Sequence, residues 1–196
     1  NHEEGFCTRK QAEDAFREAG LVRADFYYPV PDHRMPISVY SDRYLPGKGE
    51  ITSPAVSYDS PRYACLNEEE VYDRLIEEND FGRFANSFLM IASRGGGQEK
   101  TIFAKYNRTR KEEFRIRTSI READGERRVE KAALSGGGSL HICSLREKCL
   151  RLRQLNPRVR ILEPAISGDG SKVEFCFLEG ITLAERLGQG DRKSVV

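Results

Sequence analysis

The second half of the sequence is a series of short segments in which apolar and polar residues alternate, with turn residues between them. Such alternation is typical of strands that bury one face. The turn residues at 124–125 and 168–170 favour tight connections between antiparallel neighbours, while residues 140–155 have the periodicity of one helix. Over residues 101–190 the predicted order is three strands, a helix, two strands and the start of another helix at Thr182. We therefore expect an α+β protein whose second part is a five-stranded antiparallel sheet with one helix.

The first half of the sequence mixes helix and strand patterns. Thr8 begins a helix and forms a capping box with Gln11, and residues 22–28 alternate as a half-buried strand. A long loop rich in Pro, Gly, Ser and Tyr occupies residues 41–66. Residues 84–93 form a nearly continuous apolar run, which predicts a buried strand.

Residues 94–100, with the sequence RGGGQEK, are the strongest candidate for a domain boundary. Consecutive glycines also occur in phosphate-binding loops, but the Gly-Lys-Ser/Thr ending of such a loop is missing, so we interpret the segment as a flexible linker. The glycines within residues 135–139 are interpreted in the same way, as a turn between a strand and a helix. We expect one domain over residues 1–93 and a second over residues 101–190.

The overall composition excludes several classes of protein. The chain has 32 Lys and Arg residues against 31 Asp and Glu residues, so it is not basic overall. Its apolar runs are too short to cross a bilayer. Five scattered cysteines without a Cys-x-x-Cys pair predict neither a disulfide framework nor a metal site. We expect a cytoplasmic protein with no membrane span.

Both ends of the sequence are unusual. The chain begins at Asn1 rather than at a methionine, and residues 191–196 match the translation of a common DNA-sequencing adapter. We interpret the latter as an artefact, and the alternative is an ordinary polar terminus. The chain is therefore expected to be a truncated fragment, whose partners would include the missing domains of the same protein.

Glu147 is the one acidic residue in the predicted helix at 140–155, and it lies on an otherwise apolar stripe. A carboxylate in such a position needs a cationic partner, because a lone buried charge is unfavourable. Lys131, in the strand before the helix, is the partner that we expect. A local surface pair with a neighbouring arginine is the alternative. The other residues of the stripe are Leu140, Cys143 and Leu150.

The order of elements in the second part resembles the N-terminal lobe of the protein-kinase fold. The resemblance implies that Lys131 grips nucleotide phosphates and that Glu147 is its helix partner. Residues 175–187, FCFLEGITLAERL, are similar to the hinge and following helix of aminoglycoside-phosphotransferase-like and lipopolysaccharide-kinase-like proteins. By that similarity, the backbone at Phe177 and Glu179 would contact an adenine ring, with ATP and magnesium as ligands. The family's glycine-rich cover is absent between the first two strands, so a non-catalytic nucleotide- or protein-binding module is an alternative function.

A second resemblance covers the first part. Residues 18–46, which contain YYPVPD, and residues 84–92, FANSFLMIA, are similar to the C-terminal end of a class I methyltransferase from bacterial surface-polysaccharide clusters. The resemblance implies the end of a Rossmann-like sheet, an inserted loop opening at YYPVPD, and a last, antiparallel strand at FANSFL. It also implies S-adenosylmethionine as cofactor, bound mostly upstream of Asn1. A kinase-like segment often follows in the same chain, and this chain alone is expected to be inactive.

Tyr28, Asp32, His33 and Tyr40 lie in and around the inserted loop. Ligands of open α/β sheets bind beyond the strand ends, so these side chains would line the pocket for a methyl acceptor. Aromatic and carboxylate groups suit a glycan or another small polar molecule. The alternative is that the tyrosines pack the loop onto the sheet and the acids cap turns.

Basic and aromatic residues interleave over residues 103–121, a pattern found in proteins that bind single-stranded nucleic acid. Neighbouring glutamates dilute this charge, and alternation commonly makes such residues one solvated face, so nucleic-acid binding is an alternative function and not the expected one. The residues concerned are Lys105, Arg108, Arg110, Lys111, Arg115, Arg117 and Arg121, with Phe103, Tyr106 and Phe114.

Overall fold

The computed structural model describes residues 8–21, 23–51, 68–94, 99–106, 110–155, 158 and 161–181. Within these ranges the chain is an α+β protein with an open, antiparallel sheet of eight strands and with four helices. The helices are α1 (Arg9–Glu18), α2 (Glu68–Glu77), α3 (Phe81–Phe84) and α4 (Gly136–Leu155). The strands are β1 (Arg23–Val30), β2 (Ser38–Ser41), β3 (Leu89–Ser93), β4 (Glu99–Tyr106), β5 (Ile116–Ala123), β6 (Glu126–Ala133), β7 (Ala165–Ile166) and β8 (Lys172–Cys176). Their order in the sheet is β3-β1-β2-β4-β5-β6-β8-β7.

The predicted order of the second part is confirmed, since β4, β5 and β6 precede α4, and β7 and β8 follow it. Asp124 and Gly125 have positive φ angles of 51° and 83° and make the predicted tight turn between β5 and β6. The predicted helix start at Thr182, residues 52–66 of the predicted loop, and residues 1–7 and 191–196 lie outside the described residues.

The capping box at the start of α1 is confirmed. The backbone amide of Gln11 donates to Thr8 Oγ1 at 3.3 Å, and the amide of Thr8 donates to Gln11 Oε1 at 2.8 Å. Two backbone N–H groups that the helix itself cannot satisfy are thereby paired.

One sheet runs across the predicted linker. β2 pairs with β4 through Ser38 opposite Lys105 and Val39 opposite Ala104, and Ser41 Oγ donates to the carbonyl of Ile102 at 2.7 Å. The division into two domains stays a prediction, and the strands on its two sides are hydrogen-bonded neighbours.

The core of the first part is aromatic. Phe26, Tyr28 and Val30 alternate along β1 and are buried together with Tyr40 of β2. Phe81 of α3 packs edge-on against both tyrosines, with ring centroids 5.8 Å from Tyr28 and 6.1 Å from Tyr40. Helices α2 and α3 thus cover this face of the sheet because they contribute large apolar side chains to it.

The apolar run at 84–93 forms a shorter strand than predicted, and the strand is not buried. β3 spans Leu89–Ser93 at the edge of the described sheet, and the side chains of Leu89 and Ile91 are 53 % and 50 % exposed. An apolar run indicates a strand, but whether both faces are covered depends on distant parts of the chain.

Helix α4 buries a different face from the predicted one. Leu140, Cys143, Glu147 and Leu150 do share a face, but that face is exposed. Ile142 is instead fully buried, and it packs with Ile116 of β5 and Val173 of β8. The face with Leu140 and the face with Ile142 both carry apolar residues, so the periodicity of the sequence does not show which of them is buried. The buried face is the one that fits the surface of β5, β6 and β8.

The glycines at 136–138 belong to the first turn of α4 and not to a flexible turn. A Cβ atom at Gly138 would lie 2.9 Å from Ala133 Cβ and 3.1 Å from the carbonyl oxygen of Arg115. Glycine at this position therefore allows the start of α4 to approach β6 closely.

The orientation of α4 gives a testable difference between two neighbouring leucine-sized residues. We expect Ile142→Ala to lower the free energy of unfolding by about 2–5 kcal/mol, because it removes buried methyl groups. We expect Leu140→Ala, at a position 73 % exposed, to change it by no more than about 0.5 kcal/mol. Urea unfolding followed by circular dichroism measures both, and a larger loss at Leu140 would contradict the orientation.

Candidate functional site

Lys131 lies in the middle of β6, opposite Thr118 of β5 and Val173 of β8. Its Nζ donates to Thr118 Oγ1 at 3.2 Å. Residues directly opposite each other in antiparallel strands project from the same face, and Val173 is part of the core under α4. The half-buried ammonium group of Lys131 is therefore on the face of the sheet that α4 covers.

Arg110 and His141 meet on the same side of the molecule. Arg110, from the connection between β4 and β5, has its Nη1 2.7 Å from Nε2 of His141 on α4. A guanidinium group can only donate, so in this contact Nε2 accepts and the imidazole is neutral with its proton on Nδ1. Arg115 Nε donates to the carbonyl of Arg110 at 3.3 Å and so fixes the end of the connection.

The charges that shift the pKa values of Lys131 and His141 are positive. Burial lowers the pKa of Lys131, and the positive charge of Arg110 lowers it further. Burial also lowers the pKa of His141, with further lowering from Arg110, Lys148 and Lys131. We call Arg110, Lys131, His141 and Lys148 the basic cluster.

The basic cluster has no acidic partner in the described part of the chain. Neither Arg110, Lys131 nor Lys148 forms an ion pair there with an Asp or Glu side chain. Half-buried like charges repel each other and are unfavourable without an anion. The arrangement can therefore bind a negatively charged group.

The predicted pair between Lys131 and Glu147 is not formed. Glu147 is exposed, on the outer side of α4, whereas Lys131 donates to Thr118 beneath the helix. Nor does Glu147 form the alternative surface pair with an arginine among the described residues. The reason is the orientation of α4, which places His141 and not Glu147 on the side of β6.

Phe177 and Glu179, the predicted adenine-binding residues, follow β8. Phe177 packs with the ring of Tyr44, at a centroid distance of 6.3 Å, and with the guanidinium group of Arg127 at 5.8 Å. Its amide donates to the carbonyl of Arg127 at 3.3 Å. Leu178, Glu179 and Gly180 are exposed, and their backbone groups have no hydrogen-bond partner among the described residues.

The four predicted acceptor-pocket residues are not brought together. Tyr28 and Tyr40 are buried in the aromatic core, and burial raises the pKa of each. Tyr28 donates to Asp42 Oδ1 at 2.5 Å and accepts from Arg9 at 2.7 Å.

Asp32 and His33 lie in an exposed turn apart from that core. The carboxylate of Asp32 accepts from the amides of Met35 and Arg34 at 3.0 and 2.7 Å, and these bonds lower its pKa. His33 is exposed. This is the arrangement of the alternative interpretation, in which the tyrosines pack and the acid caps a turn; a role in acceptor binding stays a prediction.

Sequence reasoning missed a buried carboxylate on the other face of the sheet. Glu130 is 2 % exposed and lies 2.8 Å from Arg117 Nη2, 3.1 Å from Arg121 Nη1 and 3.8 Å from Lys172 Nζ. Burial raises the pKa of Glu130, but the hydrogen bond from Arg117 and the charges of Arg121, Lys172 and Arg117 outweigh burial and lower it overall. Its cross-strand position among arginines was the available signal, but a charged residue in a strand is ordinarily exposed.

The basic and aromatic residues of the nucleic-acid alternative do not form one free surface. Arg117 and Arg121 are occupied by Glu130, and Arg110 contacts His141. Phe103 packs between Tyr40 and Tyr44, with ring centroids 5.1 Å away in both cases. The described part of this pattern is thus largely engaged in internal contacts.

Comparison with models of known protein families, with curated proteins and with solved structures found no match to this chain. Two further properties concern membrane spans and metal sites in the described residues. No helix in the described ranges is both long enough and apolar enough to span a bilayer. The same ranges contain no group of three or more His, Cys, Asp or Glu side chains that could hold a metal ion.

The position of Glu130 predicts a stability that depends on pH. Its folded-state pKa lies below the usual value near 4.5, so the ionised carboxylate stabilises the fold above that value, and the contribution is lost as pH falls through the folded-state pKa. We expect Glu130→Gln to lower the free energy of unfolding by about 3–5 kcal/mol at neutral pH, because three cations lose their partner.

Urea unfolding at a series of pH values tests this expectation. The difference between Glu130→Gln and the wild type should shrink once the pH falls below about 4. Glu126→Gln is the matched control, because the Glu126 side chain is 77 % exposed and its ion pair is worth little. A pH-independent difference at Glu130, or an equal loss at Glu126, would contradict the role of the carboxylate.

Proposed function

We propose that this chain is part of an S-adenosylmethionine-dependent methyltransferase that acts in the assembly of bacterial surface glycans, joined to a kinase-like lobe that binds a nucleotide. The observation that carries the nucleotide part is the half-buried Lys131 in a cluster of cations without an acidic partner among the described residues. The methyltransferase part is carried by the resemblance of residues 18–46 and 84–92.

The pairing of β1 and β3 supports the methyltransferase part. The resemblance implies that the FANSFL segment, residues 84–89, returns as an antiparallel strand after an inserted loop, and the observed strand begins at the last residue of that segment, Leu89. β3 pairs antiparallel with β1 in a register that runs from Arg23 opposite Ser93 to Tyr27 opposite Leu89. β3 is also the outer strand of the described sheet, as expected where a larger sheet continues.

We assign no residue of this chain to the binding of S-adenosylmethionine. The Gly-rich loop and the ribose-binding acid that the resemblance implies would precede Asn1. Methyl transfer depends mainly on the alignment of acceptor and methyl donor, with a base where the acceptor must lose a proton. We assign neither role to a residue of this chain.

Two features of the kinase-like lobe support nucleotide binding. Lys131 sits on the strand against which α4 packs, where a phosphate would offset the repulsion between it and Arg110. The backbone of residues 178–180 is exposed after β8, with amide and carbonyl groups that could bond to the edge of a base. The catalytic and magnesium-binding aspartates of kinase-like proteins belong to a second lobe, so we propose nucleotide binding and assign no step of phosphoryl transfer to a described residue.

Thermal unfolding with ATP tests the nucleotide proposal. ATP at a hundred times its Kd should stabilise the fold by about 2.7 kcal/mol and raise Tm by roughly 5–10 °C. We expect Lys131→Ala to abolish the shift. Lys10→Ala is the control, because Lys10 is an exposed lysine on α1, and it should keep the full shift. Equal shifts in both variants, or none in the wild type at millimolar ATP, would refute the proposal.

The methyltransferase proposal has a separate test. A longer product of the same gene, carrying the segment that we expect upstream of Asn1, should bind S-adenosylmethionine in isothermal titration calorimetry. The 196-residue chain should not bind it, because it lacks the residues that would hold the cofactor. Failure of a folded longer product to bind would refute the methyltransferase part and leave the nucleotide part standing.

A further inference from the structure

We propose that Arg110 and His141 bind the phosphates of the nucleotide together with Lys131. The inference rests on the nucleotide-binding function proposed above and identifies two further binding residues. In this assignment the α4 residue that acts with Lys131 is a histidine that binds the ligand, and not the predicted glutamate.

The three side chains come from three different elements of the fold. Arg110 belongs to the connection between β4 and β5, Lys131 to β6 and His141 to α4. The contact of 2.7 Å between Arg110 and His141 and the bond of 3.2 Å from Lys131 to Thr118 hold their polar ends on the α4 side of the sheet. A ligand that binds all three would connect elements that are far apart in sequence.

The charges explain why the ligand should be an anion. Two permanent or near-permanent cations, Arg110 and Lys131, lie close enough to lower the pKa of a neighbouring imidazole, and Lys148 adds to the effect. An anion bound between them would instead raise the pKa of His141, because a nearby negative charge favours the protonated imidazole. Once protonated, His141 Nε2 becomes a donor, so Arg110 and His141 can both donate to phosphate oxygens.

The other charged groups near α4 do not provide that anion. The 3₁₀ turn Glu112–Phe114 packs against α4, but Glu112 and Glu113 are exposed and neither hydrogen bonds nor forms an ion pair with His141. On β8, Lys172 lies near Glu130 and Glu174 lies near Arg128. On α4 itself Lys148 adds positive charge and Glu147 is exposed on the outer side. The negative charge must therefore come from a ligand or from the part of the chain outside the described ranges.

The sequence of the connection between β4 and β5 favours a site in which side chains, and not backbone amides, bind the phosphate. Residues 107–113, NRTRKEE, contain no glycine, so the sequence lacks the residues that commonly let the backbone of a phosphate loop approach its ligand closely. Arg110 offers a guanidinium fork from the same connection. These side-chain cations recognise the phosphates and not the base. A free polyphosphate should therefore bind to the site without any nucleoside attached.

Calorimetric titration of the full chain with pyrophosphate and with ATP tests the inference. We expect pyrophosphate to bind, and Arg110→Gln and His141→Gln each to weaken binding by roughly tenfold, as expected for one charge-assisted hydrogen bond. The proton that His141 must take up favours binding at about pH 6 over about pH 8, and this contribution should be lost in His141→Gln, whereas the ionisation of the ligand's own phosphates affects both proteins equally. Glu147→Gln, on the outer side of the same helix, is the matched control and should bind like the wild type.

The outcomes separate this inference from the function on which it rests. If ATP binding needs Lys131 but pyrophosphate affinity is unchanged in Arg110→Gln and His141→Gln, the inference is wrong and nucleotide binding stands. If pyrophosphate binds as tightly as ATP and both variants weaken it, the inference stands and recognition of the base is refuted. No binding of either ligand overturns both.

A measurement on the wild type protects the test against variants that do not fold. The chain has three histidines, and His33 is exposed and is not among the groups that shift the pKa of His141. Saturating pyrophosphate should shift the imidazole NMR signals of His141 towards those of the protonated form and leave His33 unchanged. Equal shifts of both residues, or none at His141, would overturn the inference.

Discussion

The pairing of β2 with β4 is the interaction on which the rest of the structure depends, because it makes one sheet from the two parts of the chain. The strands meet through two register pairs, a short ladder that backbone hydrogen bonds alone would hold weakly. Aromatic packing supplies the remainder, since Phe103 of β4 lies between Tyr40 and Tyr44 at centroid distances of 5.1 Å. The aromatic core of the first part is thereby continuous with the sheet of the second.

The sheet has a charged cluster on each face, and the two clusters differ in whether their charge is compensated inside the protein. On one face, Glu130 is surrounded by Arg117, Arg121 and Lys172, so its charge is offset inside the protein, and removing it should cost stability. On the α4 face, the charges that lower the pKa values of Lys131 and His141 are those of Arg110, Lys148 and Lys131, which are all positive. A cluster that remains uncompensated costs stability by itself, and for that reason we assign the function to it and not to Glu130.

The features that the sequence predicted correctly depend on neighbours close in the chain. The capping box of α1, the turn at 124–125 and the element order of the second part follow from local spacing and turn chemistry. The buried face of α4, the exposure of β3 and the buried Glu130 depend on which strands lie alongside, and periodicity carries no such information. The candidate site also has one residue of each kind. Lys131 could be identified from its position in a strand, whereas the role of His141 can be recognised only once the orientation of α4 is known. The domain division, the methyl donor and the nucleotide stay predictions.

The packing that stabilises the second part also assembles its candidate site. Ile142 is fully buried against β5 and β8, and His141 is the residue before it, so any rotation of α4 that exposed Ile142 would also displace the imidazole from Arg110. Gly138 permits the close approach of α4 to β6 from which this geometry follows. A phosphate that bound the three side chains would in turn hold α4 to β6 and to the β4–β5 connection. Ligand affinity and the stability of the α4 contact should therefore rise and fall together, because ligand that binds only the folded state stabilises it by mass action.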